Sequence, residues 1–217
     1  MTPIDPWLRQ HLVCPIDQSA LTDHDGSLVC RQRHDFPVED GVPVMLREDQ
    51  PQTIAFIDAS IARARRRTAG DSRAPHLYLE SLGISDEEKS GVVSFSTRQP
   101  AIDPVVAYLV AATNGLMYRD QIGVLDHYPI PELRLPDGDG RTLLDVGCSW
   151  GRWSVAAARR GYRVVGIDPS LGAVMAARRV ARDLKVDATF VARQSLCGPR
   201  CYRAFNARAF SIEPPSS

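Results

Sequence analysis

Residues 141–170 read RTLLDVGCSWGRWSVAAARRGYRVVGIDPS, and this stretch decides the fold. Arg141 to Val146 is a short apolar run reaching an acidic residue, Gly-Cys-Ser-Trp-Gly follows as a tight loop, and Arg152 to Arg160 has helical composition. Gly161 stands where a helix C-cap glycine belongs. Tyr162 to Ile167 is a second buried-strand candidate that ends at Asp168-Pro169-Ser170. Leu171 to Leu184, rich in Ala, Met and Arg, gives another helix with Ser170 as its N-cap. Val186 to Ala192 supplies a third strand. The order β-α-β-α-β predicts an α/β fold, a parallel sheet with helices on its faces.

In such sheets ligands bind beyond the carboxyl ends of the strands, which brings Asp145 to Gly151 and Asp168 to one rim. Gly147 and Gly151 let the backbone turn tightly and approach a ligand, and the following helix N-terminus offers free N–H groups. Asp168 at the tip of the second strand suits a ribose diol. A dinucleotide fingerprint, G-x-G-x-x-G, would put glycine at Gly147, Ser149 and Arg152, so a nicotinamide-dependent oxidoreductase is disfavoured.

The segment Asp145-Val146-Gly147-Cys148-Ser149-Trp150-Gly151 instead resembles the first motif of class I (Rossmann-like) methyltransferases, acidic-x-Gly-x-Gly-x-Gly, with Ser149 replacing the middle glycine. Asp168-Pro169-Ser170 is similar to that family's second motif. The resemblance implies S-adenosylmethionine as cofactor, held by Asp145, Gly147, Cys148, Ser149, Gly151, Asp168 and Pro169. In that reading the Gly147 to Gly151 loop lies near the amino-acid part, Asp145 reaches the ammonium directly or through water, and Asp168 holds the ribose hydroxyls. Ser149 is compatible with the motif if its φ is negative. Cys148 reads as a small loop side chain rather than a nucleophile, since no His partner stands out. No catalytic residue is identified, and the methyl acceptor is not legible.

Residues 1–48 form a separate β-rich module, with strands expected at Leu28 to Cys30, Phe36 to Val38 and Val42 to Leu46 and a turn at Asp40-Gly41. Cys14-Pro15, Cys30 and the closing Asp40-Gly41-Val42-Pro43 resemble the small zinc-ribbon-like domain that accompanies several methyltransferases, including the activator subunit of tRNA and protein methyltransferases. A four-cysteine site needs Cys-x-x-Cys twice, whereas Asp17 and Arg33 stand at the partner positions. Two states stay open: a degenerate module that has lost its metal and rests on Phe36, Val38, Val44 and Leu46, or zinc held by Cys14, Cys30 and His34 with Asp17 as a weak fourth ligand.

Residues 49–140 read as a helical and loop connecting region. Ile54, Ile57 and Ile61 recur at helical spacing between Gln50 and Arg67, and Arg63, Arg65, Arg66 and Arg67 are expected on a solvated face or at the helix C-terminus. Thr68 to Ser90 reads as a loop with one short helix or a mobile connection, and Pro104 to Asn114 as a second helix. Residues 193–217 lack strand-helix alternation and read as a truncated or out-of-frame tail. The class I family has about seven strands, so the expectation is an incomplete Rossmann-like sheet of about three, with an unpaired edge and uncovered apolar faces. Function is accordingly either methyl transfer to an acceptor of unknown class or a truncated, non-catalytic cofactor-binding or interaction fragment.

Composition bounds the rest. The 217 residues are 44% apolar, and Lys plus Arg and Asp plus Glu are both 26, which gives no electrostatic signal for nucleic acid. No stretch approaches a membrane span, and five scattered cysteines fit a reducing compartment, so a cytoplasmic protein is expected. Oligomeric state is not legible.

Overall fold

A computed structural model describes residues 3–49, 56–68, 77–98, 101–113 and 124–194. The tail, with Cys197 and Cys201, lies outside the described residues, as does Ile54 at the start of the first predicted long helix.

The chain opens with helix α1 (Pro6–His11) and an antiparallel sheet, β1 (Leu21–His24), β2 (Ser27–Cys30), β3 (Asp35–Glu39) and β4 (Val42–Pro43), in the order β1-β2-β3-β4. Asp25-Gly26 and Asp40-Gly41 both have positive φ at the two positions, as the tight hairpin turn that matches strand twist requires. Strand β1 and helix α1 carry no strong sequence period and were not anticipated; Asp5 caps α1 by accepting from Leu8 N–H at 2.8 Å.

Helices α2 (Phe56–Thr68), α3 (Asp86–Thr97) and α4 (Pro104–Thr113) follow, with a short 3₁₀ turn at Leu79–Leu82. Then come β5 (Thr142–Val146), α5 (Arg152–Arg159), β6 (Arg163–Asp168), α6 (Leu171–Asp183) and β7 (Ala188–Ala192). The three strands form one parallel sheet in the order β5-β6-β7. Leu144 pairs with Val165, and Val165 with Thr189. The fold is therefore α/β, a parallel three-stranded sheet flanked by helices and preceded by a β-rich antiparallel module.

Because the strand order advances in one direction, two right-handed crossovers put α5 and α6 on the same face. That face is buried by Leu171, Val174 and Met175 of α6 against Phe190, with Ile57, Ala64 and Tyr78 of the helical region packed beyond. The opposite face is covered by the N-terminal module, whose Leu8, Leu28, Phe36 and Met45 pack on Val165, Ile167 and Val191. Alternate residues of β7 thus serve two different cores, as the period of two in a strand demands. The module also runs along the β7 edge: Val44 bridges Ala192, and Met45 N–H donates to the Ala192 carbonyl at 2.8 Å.

One expectation is overturned on α2. Arg63, expected on a solvated face or at the helix C-terminus, has a side chain only 1% exposed, with its guanidinium 4.9 Å from the Tyr78 ring centroid and 4.0 Å from Glu80. Docking of α2 against the 3₁₀ turn turns that face inward, and the cation is accommodated by an aromatic face and a carboxylate. Arg65 does sit at the surface, 2.5 Å from Glu48.

Candidate functional site

Parallel pairing of β5 with β6 brings the ends of both strands, and hence Asp145 and Asp168, to one rim. The Gly147–Gly151 loop is anchored there by its own backbone. Gly147 and Cys148 N–H groups donate to the Ile167 carbonyl at 2.8 and 3.0 Å, and Gly151 N–H donates to the Cys148 carbonyl at 2.8 Å. Gly147 and Gly151 have φ of +75° and +83°, in the left-handed region that favours glycine. Their surroundings differ. A Cβ on Gly151 would meet Ala177 Cβ at 3.0 Å and Phe190 at 3.2 Å, whereas one on Gly147 would meet nothing within 4 Å.

Ser149 departs from the expected backbone: its φ is +49°, not negative. In that conformation its N–H donates to Asp168 Oδ2, at 3.0 Å. A side chain in the left-handed region costs about 1–2 kcal/mol. The sequence signal was present, since the motif that this loop resembles carries a glycine at the position.

Asp168 joins two loops, accepting from Ser149 N–H on one oxygen and from Ser170 N–H at 2.9 Å on the other. Each carboxylate oxygen retains a second lone pair. Asp145 accepts from the Ser154 hydroxyl at 2.7 Å. Burial pushes both carboxyl groups above the usual carboxylate range; the hydrogen bonds oppose this, and at Asp168 the charge of Asp145 adds to it. The N-cap of helix α5 is Gly151, which has no side chain to cap it, so the first-turn N–H groups face the same rim.

Cys148 is buried against the α6 face, and burial, followed by the charges of Asp168 and Asp145, holds its thiol well above the ordinary range. It has no thiolate to offer as a nucleophile at neutral pH. Pro169 turns its carbonyl inward to accept from the Ser60 hydroxyl at 3.1 Å.

Sequence reasoning missed the residues that hold the second loop. Ser60 of α2 accepts from Leu171 N–H at 3.1 Å, and Ser81 of the 3₁₀ turn accepts from Gly172 N–H at 2.6 Å. Ser170 caps α6 through Ala173 N–H at 3.3 Å and donates to the Ser81 carbonyl at 3.1 Å. The bonds made by Ser60 and Ser81 span about ninety residues or more of chain, so no local pattern announces them. Ser154 was legible only as one residue of the Arg152 to Arg160 run of helical composition.

In the N-terminal module the structure brings Cys14, Asp17, Cys30 and His34 together, with one ligand atom of each within 4.8 Å of every other. Cys14 and Cys30 are free thiols, not a disulfide.

Residues 143–206 match a family described as a methyltransferase domain. The matched segment begins in β5 and includes the glycine loop, β6, α6 and β7. The chain is also 42% identical over 52 residues to a ubiquinone biosynthesis O-methyltransferase of Alkalilimnicola ehrlichii, an overlap that covers 24% of this chain and 21% of that protein. The chain thus spans about a fifth of the length of the curated relative it matches. No helix among the described residues is long and apolar enough to cross a membrane.

Proposed function

We propose that the rim of β5 and β6 binds S-adenosylmethionine and that the protein is a methyltransferase using it, with an acceptor whose class is open. The observation that supports this best is the presence at one rim of two half-buried carboxyl groups, both with raised pKa, beside a loop whose Gly147 faces open space. A ligand bearing positive charge compensates such carboxylates, and S-adenosylmethionine carries both an ammonium and a sulfonium. The methyltransferase-domain match over the same residues agrees with this reading.

In this proposal Asp145, steadied by Ser154, receives the ammonium. The Gly147 to Gly151 backbone and the first turn of α5 lie along the amino-acid part, and Gly147 leaves room for it. The free lone pairs of Asp168 accept from the ribose hydroxyls while its bonds to Ser149 and Ser170 keep both loops in register. Bound there, the cofactor would supply an electrophilic methyl group; the residues named bind and orient, and none of them touches the acceptor. Rate enhancement would come chiefly from holding acceptor and methyl carbon in line.

A second reading, a cofactor-binding fragment without catalysis of its own, is favoured by the sheet: among the described residues it has three strands, and the outer edge of β5 is unpaired. Calorimetric titration with S-adenosylmethionine tests both. Micromolar binding, lost in Asp168→Ala and Gly147→Val, is expected; absence of binding by folded wild-type protein would overturn the cofactor proposal. Methyl release from bound cofactor in the presence of an acceptor, against binding alone, separates the two readings.

A further inference from the structure

The N-terminal module holds four metal-ligating side chains of three kinds in one cluster. Cys30 Sγ lies 3.2 Å from His34 Nδ1 and 3.4 Å from Asp17 Oδ2. Cys14 Sγ lies 3.4 Å from the same His34 nitrogen, and Asp17 Oδ2 lies 3.3 Å from it. Zinc bonds of about 2.0–2.3 Å to nitrogen, oxygen and sulfur imply tetrahedron edges of roughly 3.3–3.8 Å between ligand atoms. These four of the six edges fall in or just under that span, and all six lie within 4.8 Å.

Two tight turns, one of five residues and one of four, present these atoms. Gln18 N–H donates to the Cys14 carbonyl at 2.9 Å, and Arg33 N–H donates to the Cys30 carbonyl at 2.9 Å. Gln18 and Arg33, the two donors, both have positive φ, +62° and +63°. The second turn explains how the sequence pattern misleads. Arg33 occupies the place at which a second Cys-x-x-Cys would end, but its left-handed backbone carries the chain on so that the next residue, His34, reaches the cluster.

The surrounding bonds orient the donors. Asp17 Oδ1 accepts from Ser19 N–H at 2.9 Å and from the Ser19 hydroxyl at 2.7 Å, which leaves Oδ2 to face the thiols. His34 N–H donates to Cys30 Sγ at 3.4 Å. Outer contacts of this kind fix ligand geometry in metal sites.

We propose that Cys14, Asp17, Cys30 and His34 bind one zinc ion in a closed, structural site. Two thiolates with an imidazole select zinc over the hard, oxygen-seeking magnesium and calcium. Four protein ligands leave no open position for substrate, so the ion's role is to clamp the β1 approach to the β2–β3 turn. Those elements belong to the layer that covers Val165, Ile167 and Val191 beneath the proposed cofactor rim. The site is independent of methyl transfer.

The test uses the full chain purified without added chelator. Elemental analysis is expected to find one zinc per chain, and cobalt(II) exchanged into the site is expected to show the visible bands of a tetrahedral ion with thiolate charge transfer. Chelation should lower the melting temperature, and Ser19→Ala should weaken zinc affinity about tenfold. Cys30→Ser and His34→Ala should abolish the cobalt bands, while Arg33→Ala should keep them. Folded wild-type protein that binds neither zinc nor cobalt, an octahedral cobalt spectrum, or a Cys14–Cys30 disulfide in protein prepared without oxidant would overturn the proposal. Since wild-type spectra carry these outcomes, a variant that fails to fold does not blunt them.

Discussion

Along its β7 edge the parallel sheet is stitched to the N-terminal module by the Val44–Ala192 bridge, the Met45–Ala192 hydrogen bond and a pair of bonds between the Arg47 backbone and the Gln194 side chain at 2.9 and 3.0 Å. Along β5 no such strand is present among the described residues. The burial follows the difference. Phe190, Val191 and Ala192 are buried, whereas Thr142 to Asp145 are half-buried and Val146 is 50% exposed. Leu143 and Leu144 are more apolar than Ala192, yet Ala192 is the one removed from water. Burial here is decided by what lies across the edge, not by the residue's own hydrophobicity.

The largest test of that contrast is a pair of truncations. Met45→Ala, at the covered edge and between two layers, should cost about 3 kcal/mol, and Leu143→Ala on β5 about 1 kcal/mol, in urea unfolding at one pH. Equal costs would mean that β5 is covered as β7 is. The glycine loop spans the same divide and gives the next effect. Gly151→Ala adds a Cβ against Ala177 and Phe190 to the backbone penalty and should cost about 2–3 kcal/mol of stability. Gly147→Ala carries the backbone penalty alone, about 1 kcal/mol, but should weaken S-adenosylmethionine binding about tenfold on titration because its methyl group enters the open side.

The smallest effect is electrostatic. The carboxyl groups of Asp145 and Asp168 have raised pKa in the folded protein, so between the ordinary value of 3.8 and the raised ones the folded state holds protons that the unfolded state has lost. Their contribution to stability is therefore largest below that window and declines as pH rises through it. Asp168→Asn should remove part of this decline in a series of melts against pH. A positively charged ligand favours the ionised forms, so S-adenosylmethionine affinity should rise with pH over the same window in wild type and less so in the variant. A variant whose pH dependence matches wild type would separate Asp168 from the effect.

The β5-loop-α5-β6-α6-β7 run was legible because each of its signals is local. The apolar runs, the Gly147 and Gly151 turns, Gly161 after α5 and the Ser170 cap each depend on neighbours a few residues away. Boundaries moved little; β7 starts at Ala188 rather than Val186. The candidate site was legible in the same measure: Asp145 and Asp168 meet because parallel pairing carries strand ends to one rim. The φ of Ser149 was not legible, since its N–H is held by Asp168, a residue on the next strand. Arg63 was misjudged because its composition said surface while the docking of Tyr78 and Glu80 said interior.

From the sequence alone followed the order of the α/β elements, the rim that Asp145, Gly147 and Asp168 share, and the cysteines and histidine of the first module, since side-chain periodicity and loop chemistry act over a few residues. Only the tertiary structure decided that the first module covers one face and the β7 edge, that Ser60 and Ser81 hold the Asp168 turn, and that His34 joins Cys14, Asp17 and Cys30. Those contacts join residues far apart in the chain or turn on a backbone reversal, and their energies exist only once the layers have packed.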